Sequence, residues 1–187
     1  MLQLFEASQC TVYDEDGREV LFGDLFKKRR TLVCFLRHWW CGFCQQFAMS
    51  IKKIDPLPLQ KANMDLIIVG QGDWHVTKAY RQVMQVPYPM FADPKRNIYK
   101  ALGMTIRSNE ANPACARPDY AELSMTKGIL VAIKVRLRAK GLFDMPIRNP
   151  GDMKLLGGEF ILGPGLQCSF THRMVTADGH LDLPRVL

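Results

Sequence analysis

The chain is sparing with cysteine and has neither a long apolar run nor a repeated segment, and each shortage removes a class of protein. Six Cys in 187 residues are too few for a small secreted disulfide scaffold. The longest apolar run, Gly128–Val135, is broken by Lys134 and is far too short to span a bilayer. Met1–Cys10 lacks a basic start, an apolar core and a small-residue cleavage site, so no signal peptide is expected and a reducing, cytoplasmic setting is. No Gly-rich phosphate loop follows a candidate strand, so no nucleotide or flavin cofactor is implied. Low-complexity linkers are missing too, and the length suits one domain, residues 1–187.

Charge of negative sign is the minority: 25 Lys and Arg face 18 Asp and Glu, a net +7. Part of the excess sits in Lys27-Lys28-Arg29-Arg30 and part in 134–140. A basic patch of this kind attracts nucleic acid or an anionic surface. No nucleic-acid motif accompanies it, so a solvated turn and a solvated helix face are the preferred reading, with no nucleic-acid or membrane partner.

The remaining pattern is that of an α/β protein. Cys10–Tyr13, a turn at Asp14–Gly17 and Glu19–Phe22 read as an N-terminal hairpin. Thr31–Leu36 is a continuous apolar run rich in strand formers, as expected of a strand buried on both faces. A helix is expected from about Cys41, because Cys44, Phe47, Ala48, Ile51 and Ile54 recur at helical spacing, and Pro56 and Pro58 are expected to stop it. Asp65–Gly70 is a second buried strand and Trp74–Met84 a short helix. Val86–Asp93 reads as turns. Asp93-Pro94 reads as an N-cap and first helical position for a helix to Leu102, closed by Gly103. Arg107–Pro118 reads as loop, Asp119–Lys140 as a longer helix and Phe143–Gly158 as loop. Glu159–Leu162 and Gln167–His172 form a second hairpin, and Leu183–Leu187 opens a further helix. Strand, helix, strand, helix and then hairpin imply a mixed central sheet flanked by helices.

Chemistry concentrates in Cys41-Gly42-Phe43-Cys44. At the first turn of a helix the unpaired N–H groups and the positive dipole end stabilise a thiolate, which lowers the thiol pKa. A second Cys one turn on can close a disulfide with the first and release a substrate by exchange. Trp39 and Trp40 would form an apolar collar beside the sulfur. The alternative, a zinc knuckle, needs a second pair; Cys10, Cys34, Cys115 and Cys168 are scattered singly and no His pair has finger spacing, so no metal is expected.

Trp40-Cys41-Gly42-Phe43-Cys44 resembles the Trp-Cys-Gly-Pro-Cys of thioredoxins, with Phe43 in place of Pro. The chain as a whole resembles the peroxiredoxin-like group of the alkyl hydroperoxide reductase/thiol-specific antioxidant (AhpC/TSA) superfamily. The stretches that carry this are 33–38, 66–71, Asp93-Pro94 with 99–103, and 160–165. The resemblance implies a thioredoxin-like fold with an N-terminal hairpin and a helical insertion. It also implies reduction of a peroxide or a disulfide by Cys41, resolution by Cys44, and recycling by thioredoxin or glutathione. A non-enzymatic thioredoxin-fold binding or redox-regulatory module is the alternative, but such a module has no need of two thiols one turn apart.

This sequence departs from both parents. In the peroxiredoxin Pro-x-x-x-Thr-x-x-Cys loop, counting back from Cys41 puts His38 at the Thr position and Cys34 at the Pro position; counting from Cys44 puts Cys41 and Arg37 there. Leu156-Gly157-Gly158 stands where peroxiredoxins have an Arg and thioredoxins a Pro, and the buried Asp of thioredoxins falls on Phe35. Slow attack on peroxides is therefore expected. Arg37 reads equally as a group that stabilises the Cys41 thiolate or a peroxide oxygen and as a surface Arg. His38 reads as a surface His ahead of a proton shuttle. His75, His172 and His180 read as structural, Cys34 as an inert core thiol, and Cys10, Cys115 and Cys168 as candidates for a further resolving thiol.

Overall fold

A computed structural model describes residues 3–112, 118, 120 and 149–183. Apart from Tyr120, the expected helix 119–140 lies outside the described residues, as do the basic stretch 134–140, Cys115, the segment after Leu183 and parts of the two expected loops.

Seven strands make one mixed sheet: β1 (Thr11–Tyr13), β2 (Glu19–Leu21), β3 (Arg30–Phe35), β4 (Met64–Gly70), β5 (Met90–Ala92), β6 (Gly158–Leu162) and β7 (Cys168–Arg173). Their order is β2-β1-β5-β4-β3-β6-β7. The three central strands β5, β4 and β3 run parallel, and both hairpins add antiparallel edges. The helices are α1 (Leu4–Ser8), α2 (Gly42–Ile51), α3 (Pro56–Lys61), α4 (Thr77–Met84) and α5 (Asn97–Ala101).

β3 is buried on both faces, as its apolar run implies. Leu32, Cys34 and Leu36 pack with Phe47, Ala48 and Ile51 of α2 and with Tyr80 and Met84 of α4. Val33 and Phe35 pack with Phe22, Phe26, Tyr99 and Phe160 on the other side. Each such side chain contributes about 1.5–3 kcal/mol of burial. Two fully loaded faces hold the end of β3, and with it the Cys41 turn, in a fixed place.

Several boundaries differ from expectation. Pro56 does not stop a helix; it starts one. α2 has already ended at Ile51, and the Asp55 carboxylate accepts the Leu57 N–H to cap α3. A Pro in the first turn gives up only an N–H that has no intrahelical partner. Within the turn-rich 86–93 stretch, Met90–Ala92 is a strand, fully buried between β4 and Tyr13 of β1. Pro94 lies outside α5. Arg96 takes a left-handed conformation before the helix, and Asp93 caps it from a distance, accepting the N–H groups of Asn97 (3.3 Å) and Ile98 (2.9 Å). α1 had no sequence signal.

Leu156-Gly157-Gly158 is Gly for a steric reason. A Cβ on Gly157 would lie 1.9 Å from the Phe35 carbonyl oxygen, and one on Gly158 would lie 2.3 Å from that of His172. The start of β6 therefore presses against the end of β3 on one side and β7 on the other more closely than a side chain permits, and in this register Glu159 lies across from Cys34.

Candidate active site at the end of the central strand

β3 ends at Phe35 and α2 begins at Gly42, so residues 36–41 form the turn that carries the thiols. Cys41 is the N-cap of α2, with extended backbone (φ −70°, ψ 114°), and its Sγ accepts the Cys44 N–H at 3.3 Å. The sulfur thus occupies the position a capping oxygen would, against the open N–H end of the helix. Trp39 locks the turn from behind: it is buried, packs against Tyr80 with the rings tilted and their centroids 5.1 Å apart, and donates its Nε1–H to the Asp73 carbonyl. Trp40 is 44% exposed, so of the two residues expected to form a collar, Trp39 belongs to the core and Trp40 faces solvent.

The structure brings Cys41, Cys44 and Arg37 together. Arg37 is 4% exposed, which overturns its reading as a surface residue. Its Nη1 lies 3.5 Å from Cys41 Sγ, and Nη2 donates to the Ser108 carbonyl (3.0 Å), Asn109 Oδ1 (3.0 Å) and the Met153 carbonyl (3.1 Å). Two loops distant in sequence thus supply the acceptors that make burial of the guanidinium tolerable. The Arg37 backbone N–H donates to Cys44 Sγ at 3.4 Å.

These contacts drive the two thiols apart. The Cys44 thiol beside it, outweighing burial, and then the Arg37 guanidinium lower the pKa of Cys41 to about 6. Burial, followed by the neighbouring Cys41, raises Cys44 well above its ordinary value. At neutral pH the pair is one thiolate and one thiol. Alkylation of Cys41 by iodoacetamide should therefore rise to a plateau with a midpoint near pH 6, well under the free-thiol value of about 8.5. Peptide mapping that finds Cys44 or Cys10 labelled first at pH 7 would reverse the assignment.

His38 also departs from expectation. It is 5% exposed, and among the described residues its Nδ1 has no hydrogen-bond partner. Burial and then the Arg37 charge depress its pKa from 6.5 to about 4. The unfolded chain therefore takes up this proton first as pH falls, so stability is intact above pH 6.5 and drains away toward pH 4. The loss amounts to about 3 kcal/mol. Urea unfolding between pH 7 and 4.5 should show it, and His38→Gln should flatten it; an unchanged slope in that variant would place the acid sensitivity elsewhere. The depressed carboxylates Glu159 and Asp152 act only below their ordinary values of 4.5 and 3.8.

Two residues at the thiols escaped the sequence reading of the site. His180 is buried, with Nε2 3.5 Å from Cys44 Sγ and Nδ1 2.6 Å from Glu159 Oε1. Glu159 is completely buried, and its Oε2 meets His172 Nδ1 at 2.6 Å. The available signal was the acid itself. Residues 158–162 are apolar on both sides apart from Glu159, and a carboxylate in such a strand needs a cationic or N–H partner. Cys34 is an enclosed thiol with a raised pKa, while Cys10 and Cys168 are partly exposed and lie in the opposite packing layer.

Residues 57–176 match the family described as AhpC/TSA antioxidant enzyme. The chain belongs to this family. It is 33% identical over 165 residues to Peroxiredoxin-like 2C of Bos taurus, covering 88% of this chain and 69% of the relative. To the Mus musculus protein of that name it is 34% identical over 89% of this chain and 70% of the relative. Among solved structures, Xanthomonas campestris peroxiredoxin Q superposes with a TM-score of 0.59 at 11% identity, over 94% of this chain and 86% of that one. The peroxiredoxin-like protein of Aquifex aeolicus gives 0.57 at 10%, over 91% and 75%. These likenesses establish the thioredoxin-like fold expected from the sequence.

Proposed function

We propose that this AhpC/TSA member is a thiol peroxidase in which Cys41 attacks and Cys44 resolves. The observation that carries the proposal is the Cys41 sulfur at a helix N-cap, held between the Cys44 N–H and the Arg37 guanidinium. The Cys41 thiolate attacks the O–O bond of a hydroperoxide, giving a sulfenic acid and, with one proton, an alcohol or water. Cys44 displaces water from the sulfenic acid and closes the disulfide. A dithiol reductant, thioredoxin or two glutathiones, restores both thiols.

A small hydroperoxide is favoured over a protein disulfide because Cys41 is only 4% exposed. The family description points the same way, as does the structurally similar Xanthomonas campestris bacterioferritin comigratory protein, which was studied for alkyl peroxide reduction. Arg37 would polarise the departing oxygen, a task peroxiredoxins share with a Thr that is missing here, so turnover is expected to be slower than theirs. We propose a reducing compartment such as the cytosol, where a close Cys pair is more often catalytic than structural.

The test is a turnover panel of hydrogen peroxide, an alkyl hydroperoxide and a small disulfide, each with thioredoxin or glutathione. Hydroperoxide consumption coupled to one of these reductants is expected. Turnover of the disulfide alone would make the chain an exchange protein, and no turnover in any combination would favour the binding-module reading.

A further inference from the structure

Glu159 stands on β6 directly across from Cys34 of β3, on the side of the sheet that faces α2. Burial pushes its carboxyl pKa up, but His180 and His172 more than reverse this and hold it below the ordinary value. An ionised carboxylate only accepts hydrogen bonds, so Nδ1 of each His must carry the proton. For His180 this leaves Nε2 as the nitrogen that bears the lone pair whenever the ring is neutral, and Nε2 lies 3.5 Å from Cys44 Sγ. The ring cannot turn away, because it lies flat on Phe47, with centroids 4.1 Å apart and planes 6° apart.

The single S–H of Cys44 therefore has two acceptors, the Cys41 thiolate and His180 Nε2. Once Cys41 has been oxidised it no longer carries negative charge, and His180 remains. This is the moment at which Cys44 must become a nucleophile, although burial holds it as a thiol.

We propose that His180, oriented by Glu159, is the catalytic base that takes the Cys44 proton during disulfide closure. The proposal rests on the reading of Cys41 and Cys44 as a redox pair. In the step, the Cys44 S–H bond breaks and its proton moves to His180 Nε2. The sulfur's electron pair attacks Cys41 Sγ, and the group bound there leaves as hydroxide or thiolate. The positive charge on the imidazolium is balanced by Glu159, whose second oxygen is held by His172. The proton then passes to the leaving group or to water. When a reductant reopens the disulfide, Cys44 departs as thiolate and recovers a proton from His180. The couple exchanges two electrons with the substrate and needs no other oxidant.

The other titratable groups around the thiols are silent in this step. Tyr80, Tyr99 and Tyr120 have raised phenol pKa values and Cys34 a raised thiol pKa, so all four stay neutral, while Arg37 adds a constant positive charge.

Stopped-flow reaction with dithiodipyridine tests this. This small neutral disulfide releases one coloured thione when Cys41 attacks and a second when Cys44 closes the ring. Cys10, Cys115 and Cys168 are changed to Ser so that only the pair reports. In the chain with His180 and Glu159 intact, the second phase should be flat through pH 8–9, where an unassisted buried thiol still gains about tenfold per pH unit. His180→Gln should slow this phase about 100-fold at pH 7, the lower end of what a positioned base supplies, and Glu159→Gln about tenfold. His180→Gln should recover about tenfold per pH unit as hydroxide replaces the base, whereas Glu159→Gln, which keeps the ring, should show a shallower rise. A purely structural role would lower the unfolding midpoint without changing the shape of the pH profile, and that outcome overturns the proposal. A rising second phase with His180 and Glu159 intact overturns it without any variant having to fold. If no second phase appears in that chain, the redox-pair reading fails and the base with it.

Discussion

Cys41→Ser should abolish turnover, whereas Cys44→Ser should leave one stoichiometric reaction and a trapped adduct. The two sulfurs are close, yet their surroundings assign them different work. Cys41 accepts hydrogen bonds from Cys44 N–H and Arg37 Nη1, and each stabilises the thiolate that attacks. A Ser hydroxyl there ionises far less readily and makes a poor nucleophile toward a peroxide. Among the described residues Cys44 accepts the Arg37 backbone N–H and faces His180 Nε2; it is fully buried and remains a thiol until it is needed. Without it the first step survives, but nothing nearby expels the product. Mass spectrometry of Cys44→Ser after one equivalent of alkyl hydroperoxide should find a single added oxygen on Cys41, captured by a sulfenic-acid reagent. A mixed disulfide forming only with a protein substrate would instead favour exchange chemistry. Full activity of Cys44→Ser with thioredoxin would show that the reductant resolves Cys41 directly.

The features legible beforehand are those encoded by short, continuous patterns. Thr31–Leu36 announced a strand with two apolar faces, and the spacing from Cys44 to Ile51 announced the helix after it. Together they placed Cys41 at the junction. β5 was illegible because three residues cannot display an alternation, and its existence depends on partners at Ile68–Gly70 and Tyr13. Pro56 misled because Pro has opposite meanings at the two ends of a helix. His38 was misjudged and Arg37 left undecided for a common reason: a strand end looks exposed until a distant segment covers it. Here the segment is 149–156, whose Pro150 carbonyl accepts the Trp39 N–H and whose Met153 carbonyl accepts from Arg37. His180 is the extreme case, lying 136 residues from Cys44 in the chain, with no local spacing to connect them. The absence of an acid at Phe35 was visible, but the place of Glu159 across from Cys34 could be found only through the β3–β6 register.

Arg37→Met should cost both rate and stability, in separable ways. The guanidinium is almost wholly buried, so its removal leaves the carbonyls of Ser108 and Met153 and the Asn109 amide oxygen short of a donor. Leaving a buried acceptor without its donor costs about 1–3 kcal/mol, a sizeable share of the 5–15 kcal/mol typical of a domain. Arg37→Lys keeps the charge but replaces a planar fork by one ammonium, and it should lose less stability while reaching fewer acceptors. The chemical loss has a different origin. Without the charge beside it the Cys41 pKa moves up from about 6, and the thiolate population at pH 7 falls about tenfold for each unit gained above neutrality. A donor that polarises the departing oxygen goes too, an effect worth about 100-fold where such groups have been removed from other enzymes. The alkylation midpoint isolates the first effect, because iodoacetamide has no O–O bond to polarise. Peroxide oxidation of Cys41 at a pH above that midpoint isolates the second. An unshifted midpoint combined with a lower unfolding transition would make Arg37 a strut between the 108–109 and 153 loops and leave Cys41 to the helix N-terminus alone.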